Sequence, residues 1–191
     1  MIRLEKELGY EFNDSGLLRT ALTHSSYANE SKNPRIVSNE RLEFLGDSLL
    51  GSVVALHLYR SSPDLPEGQM TRQRAQLVCE ESLHAVAVAL GLGGALLLGK
   101  GEELTGGRER PSILADAVEA IIAAIYLDGG MAPVRSFIKS RILDFQDQNA
   151  KTSPITDSKT RLQELIQKKT GLSISYELIS EQGPDHDKIF T

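Results

Sequence analysis

From Met1 to Phe145 no run alternates polar with apolar residues, and apolar side chains return every three or four positions. A chain so patterned packs helix on helix, and its punctuation marks where each helix stops. Asp14 is placed to cap a short helix carrying Leu17, Leu18, Ala21 and Leu22. Asn39 is placed to cap a long one that runs to about Tyr59 and ends at Ser61-Ser62-Pro63. A third stretch is predicted from about Glu67 to Leu90, and a fourth, capped by Ser112, from Leu114 to Leu127 with a stop at Gly129-Gly130. Ala132 to Phe145 closes the series. The expected first domain, residues 1–146, is therefore mainly α.

The pattern then changes. Residues 147–156 are polar and aperiodic, the composition of a linker. In residues 157–191 a short amphipathic helix, Thr160 to Lys169, is followed by alternation from Ser173 to Ile179, the period of a half-buried strand. Gly183-Pro184 marks a turn, and Lys188 to Thr191 begins a second strand. One helix and one and a half strands do not close a core, so this unit reads as the N-terminal part of an α+β domain.

Acidic residues stand where helical packing does not ask for them. Glu40, Glu43 and Asp47 are spaced i, i+3, i+7 and share a helix face, as do Asp116 and Glu119 within the apolar run Leu114 to Ile122. Acids in a first turn favour the helix dipole and stay in water, which accounts for Glu40 and Asp116. It accounts poorly for Asp47, two turns in, and for Glu119 among Ala, Val and Ile. Two such faces point to a divalent cation. With oxygen donors and no Cys or His at ligand spacing, that cation is expected to be hard, Mg²⁺ or Mn²⁺, the chemistry of phosphodiester hydrolysis.

Asn39-Glu40-Arg41-Leu42-Glu43-Phe44-Leu45-Gly46-Asp47-Ser48 resembles the signature of the ribonuclease III family. Leu22 to Tyr27, Glu67-Gly68 with Arg74-Ala75, Leu98 to Glu102 and Ser112 to Ala120 extend the resemblance along the chain in order. It implies an all-helical catalytic domain followed by an incomplete double-stranded-RNA-binding domain. It also implies a metal-dependent endoribonuclease that cuts double-stranded RNA to 5′-phosphate and 3′-hydroxyl ends with short 3′ overhangs. By the same resemblance Glu43, Asp47, Asp116 and Glu119 hold Mg²⁺ (or Mn²⁺), with Asp47 and Glu119 catalytic and Glu40 and Glu67 supporting. Phe44 would lie where two subunits of a homodimer meet. In the tail, Gln163, Glu164 and His186 would touch the RNA minor groove, whose 2′-hydroxyls and shape are what A-form RNA offers. Processing of ribosomal and messenger RNA precursors is the implied role. A catalytically silent RNA-binding relative is the alternative, and the retained carboxylates argue against it.

Composition alone leads elsewhere. Lys and Arg total 21 against 26 Asp and Glu, a net charge of −5, unlike a generic basic nucleic-acid binder. The lone Cys79 forms no internal disulfide and reads as a small buried residue, and the charged N-terminus does not read as a signal peptide, so a cytoplasmic protein is expected. Ser82 to Gly99 lacks charge, but its glycines divide it into a buried helix, a turn and a short apolar segment, so no membrane association is expected. Gly94 to Gly101 nearly spells a phosphate-binding loop but ends in Gly101 where Ser or Thr is required, so no nucleotide cofactor is expected. His24-Ser25 is expected to order a helix end rather than join a hydrolytic triad. Arg72, Arg74, Arg108 and Arg110 are candidates for phosphate contacts.

Overall fold

The structure is a computed structural model, and it describes residues 2–145, 181–182 and 189–190. Nine α-helices follow one another in the first stretch. They are α1 (Ile2–Leu8), α2 (Ser15–Ala21), α3 (Ser25–Glu30), α4 (Glu40–Ser61), α5 (Glu67–Val78), α6 (Glu80–Ala89), α7 (Lys100–Leu104), α8 (Pro111–Gly129) and α9 (Met131–Ile138). The only strand-like pairing among them is an isolated parallel bridge between Thr23 and Leu97. The chain divides into two units, Met1–Asn149 and Ala150–Thr191. In the second, β1 (Glu181–Gln182) pairs antiparallel with β2 (Ile189–Phe190), so the expected final strand is present. The expected helix from Thr160 and strand from Ser173 lie outside the described residues, as do Gln163, Glu164 and His186.

Helix α8 is the axis of the first unit. It is apolar on nearly every side, and eleven of its residues, from Ile113 to Ile125, are buried; a helix of that kind is stable only when surrounded. Helices α2, α4, α6 and α9 surround it. Alanines at 115, 117, 120, 123 and 124 keep its surface low, so neighbouring helices approach closely. Fully burying Leu18, Leu50, Ile121 or Ile138 contributes about 1.5–3 kcal/mol each.

Most helix ends fall where the residues place them. Asp14 caps α2 by accepting a hydrogen bond from the Gly16 amide, at 2.8 Å. Gly130, at φ +79°, turns the chain out of α8 where a residue with a Cβ would be strained. Five expectations change. The stretch from Glu67 to Leu90 is two helices, because Cys79 is extended (φ −71°, ψ 160°) and the Ser82 hydroxyl donates across the break to the Leu77 carbonyl, at 2.8 Å. Cys79 itself is exposed, not buried, since the break turns it outward. Helix α8 starts at Pro111, whose fixed φ and missing N–H suit the first helical position, with Arg110 rather than Ser112 as the capping residue. The last helix does not run evenly to Phe145; beyond Ile138 it widens into a π-type turn, Lys139–Leu143.

Asn39 is the fifth. It precedes α4 as expected, but its side chain caps nothing. It is buried, and its Nδ2 donates to the Ala21 carbonyl at 3.3 Å while its amide donates to the Thr23 carbonyl at 2.8 Å. The start of α4 is thereby tied to the end of α2.

Candidate metal centre

The acids come together where α4 crosses α8. Gly46 lies at the crossing, and its missing side chain lets the α8 backbone approach at Glu119: a Cβ there would overlap the Glu119 carbonyl. One turn before Gly46 stands Glu43; on α8 stand Asp116 and Glu119, one turn apart. One carboxylate oxygen from each of Glu43, Asp116 and Glu119 lies within 4.8 Å of the other two. All three residues are half-buried.

Their electrostatics are those of acids lacking a counter-charge. Burial, then the charges of Asp47, Asp116 and Glu43, pushes the Glu119 carboxyl up to about 7. Burial raises Glu43 as well, helped by Asp116, Glu40 and Asp47. Asp116 is raised by burial and by Glu80. None of the three has a cationic partner among the described residues. Clustered half-buried carboxylates without a cation are costly, and a hard divalent ion bound by oxygen, with metal–oxygen distances of about 2.0–2.6 Å, fits them. Zinc in a structural site would ask for Cys or His.

Asp47 is exposed and stands outside the trio, yet its charge acts on both Glu43 and Glu119, so it borders the site. Glu40 is also exposed, accepts from the Ser38 hydroxyl at 2.8 Å and acts on Glu43. Glu67 is not brought to the cluster within this chain. It accepts from Thr71 at 2.8 Å and lines a small cavity with Ala55, Tyr59 and Arg74. Phe44 is 78 % exposed, an unusual position for a Phe on a core helix. Sequence reasoning missed Glu80, the first residue of α6, because an acid at a helix start looks like ordinary dipole pairing. Only the break at Cys79 brings it to Asp116.

The weaker candidates resolve into scaffold. His24 Nδ1 caps α3 by accepting from the Ser26 amide, at 3.3 Å, and lies 2.8 Å from the Ser26 hydroxyl. That hydroxyl also accepts from the Gly99 amide at 2.9 Å. The amides of Lys100 and Gly101 donate to Glu30, which occupies the place a phosphate would take in a phosphate-binding loop. Arg108 pairs with Glu103 and donates to the carbonyls of Gly93 and Leu96, and Arg110 pairs with Glu102. Arg72 and Arg74 are exposed on α5. Among the described residues one helix, α4, is long and apolar enough to cross a membrane. It is the helix that carries Glu40, Glu43 and Asp47, and it packs on α8.

Comparison with known proteins decides the family. The family description "Ribonuclease-III-like" matches residues 14–145 and "Double-stranded RNA binding motif" matches residues 158–191. The chain belongs to the ribonuclease III family. "Ribonuclease 3" of Caldanaerobacter subterraneus is 52% identical over 187 residues, 98% of this chain and 82% of that protein. "Ribonuclease 3" of Clostridium perfringens is 50% identical over 190 residues, 100% of this chain and 79% of that protein. Among solved structures, the nuclease domain of ribonuclease III from Campylobacter jejuni matches with a TM-score of 0.69 and 41% identity, covering 82% of this chain and 98% of that one. Dicer from Pichia stipitis, at 22% identity and a TM-score of 0.53, covering 93% of this chain and 79% of that one, shares the fold. This ribonuclease III-type chain is an endoribonuclease, and its helical catalytic fold is the one expected.

The raised carboxyls carry a consequence for stability. Because the Glu119 carboxyl is held near 7 in the folded chain against 4.5 in the open, folding takes up a proton between those values. Its contribution is therefore complete below pH 4.5 and lost as pH rises through 7. Glu43 and Asp116 act in the same sense. The lowered carboxyls of Glu103 and Asp128 act oppositely and only at more acid pH, and Tyr10, held at about 12, only at alkaline pH. The metal-free protein is thus expected to melt at a lower temperature at pH 8 than at pH 5.5. Mg²⁺ should recover the difference at pH 8, and Glu119→Gln should shrink it. A melting temperature that rises over this range and ignores Mg²⁺ contradicts the site.

Proposed function

We propose that the chain is a Mg²⁺-dependent endoribonuclease of double-stranded RNA, with Mn²⁺ as a substitute, acting as a homodimer. The observation that carries this reading is the trio of half-buried carboxylates at the α4–α8 crossing. Glu43, Asp116 and Glu119, with Asp47 at the edge, would hold the ion. When bound, it supplies Lewis-acid stabilisation of the charge that builds on the phosphate and makes a neighbouring water more acidic.

The chain's own residues then have separate tasks. Glu119 must be deprotonated to bind, so the ion competes with the proton that burial and the neighbouring acids favour on it. Asp47, exposed to solvent beside the trio, is placed to take the proton of the attacking water. Water oxygen would bond to phosphorus in line with the departing O3′ as the P–O3′ bond breaks, and O3′ would leave as an alkoxide that takes its proton from a solvent water. The products are a 5′-phosphate and a 3′-hydroxyl.

A duplex has two strands and the described residues of one chain hold one trio, so two protomers would cut it, staggered cuts leaving a short 3′ overhang. Phe44 and Tyr59, exposed at 78% and 71% on α4, are the apolar groups for that contact. The nuclease domain of the Campylobacter jejuni protein is described as having a region involved in dimer formation. Glu40 lies at the cleft, and Glu67 reaches it only as part of the dimer. The division into residues 1–146, 147–156 and 157–191, with Gln163, Glu164 and His186 on the RNA minor groove, completes the reading. Cytoplasmic processing of ribosomal and messenger RNA precursors is the role in which it places the chain.

A long RNA duplex in Mg²⁺ at low salt should yield discrete short duplexes whose sequenced ends carry 5′-phosphate and 3′-hydroxyl groups. A chelator should stop the reaction. Phe44→Glu should shift the protein to monomer in analytical ultracentrifugation and abolish paired cuts. Products with 2′,3′-cyclic phosphates, or full paired cutting by a monomer, would overturn the reading.

A further inference from the structure

The C-terminal half of α4 borders a groove that the cleavage reading does not use. Nine residues, about two and a half helical turns, separate Phe44 from Val53, so the groove opens on the side of α4 away from the exposed Phe44. Its volume is about 400 Å³, and it is lined by Val53, Leu56 and Leu143 together with Arg60, Arg135 and Lys139. The three cations are exposed. In a chain of net charge −5 this is a concentration of positive charge beside apolar side chains. Among the described residues Arg60 and Arg135 have no acidic partner. Lys139 has only Asp144, at 3.3 Å and well exposed, a pair worth little in water and readily exchanged for another carboxylate.

Charge and apolarity together select the occupant. A phosphate backbone would use the arginines and the lysine but leave the aliphatic lining wet. A helical or extended segment with one apolar side chain among acids uses both, and a groove of this size lies within the range of ordinary binding pockets. We propose that the groove docks an acidic segment of a partner protein, with an apolar side chain on Val53, Leu56 and Leu143 and carboxylates on Arg60, Arg135 and Lys139. Asp144 holds the lysine until the partner's carboxylate displaces it.

The test uses the whole chain and a display library of random twelve-residue peptides, counter-selected against the double variant Arg135→Glu, Lys139→Glu. Survivors are expected to share Asp or Glu beside Leu, Ile or Phe. As fluorescein-labelled peptides they should bind at least tenfold more weakly to the double variant, whose duplex cleavage is unchanged. If charge reversal lowers the melting temperature, Arg135→Gln, Lys139→Gln serves in its place. The proposal fails if no peptide survives counter-selection or if survivors are basic. It also fails if the variant loses affinity for an RNA duplex and not for peptides, which would make the groove a phosphate strip.

Discussion

Glu119→Gln should leave duplex RNA uncut in Mg²⁺, with the cleavage rate down by about 1000-fold or more, roughly 4 kcal/mol of lost transition-state stabilisation. The size follows from the residue's position. Its carboxyl is pushed up to about 7, first by burial and then by Asp47, Asp116 and Glu43, and it stands on the helix that forms the core of the first unit. Its backbone cannot shift to let another acid replace it. Glutamine keeps the shape and removes the charge, so the fold should survive and metal-free stability at pH 8 should rise. Binding of the uncut duplex should stay within about threefold, because contacts away from the trio are untouched. Single-turnover cleavage and a binding titration on the same duplex separate the two effects. Cleavage at the wild-type rate would remove Glu119 from the site.

Gly46→Ala should be as damaging by a different route. The added methyl would overlap the Glu119 carbonyl, and what it meets is backbone in the middle of a buried helix, not the end of a flexible side chain. Relief requires α4 and α8 to move apart, which opens the core along Leu42, Leu50 and Val54 and pulls Glu43 from Asp116 and Glu119. Overpacking of this kind costs about 1–3 kcal/mol when neighbours can yield, and here the cost should exceed 3 kcal/mol. Urea unfolding and cleavage should both register it. Gly51→Ala in the same helix meets open space and should do neither. A Gly46→Ala protein within 1 kcal/mol of wild type would mean that the helices do not cross at this distance.

Much of this was legible in the residues. Helical periodicity gave the all-α unit, and the spacing of Glu43, Asp47, Asp116 and Glu119 marked two acidic faces. Which acids meet was not legible, because spacing defines a face but not the angle at which two helices cross. The crossing at Gly46 brings Glu43 to the α8 pair and leaves Asp47 at the edge. Glu67 stays apart for a related reason: the turn after Ser61 lays α5 beside the far end of α4. The break at Cys79 was hidden because no Gly or Pro announces it; the Ser82 hydroxyl, five residues beyond the carbonyl it bonds, makes it. Asn39 misled as a cap because a short amide serves equally to tie two helices. That choice depends on where Ala21 and Thr23 lie.

The Asn39 tie separates the loop before it from the acids after it. The loop from Ser31 to Ser38 joins α3 to α4, and the start of α4 is registered at the end of α2 by Asn39, through Ala21 and Thr23. A residue inserted in that loop is therefore expected to leave Glu43 in place, which cleavage by the insertion variant would check.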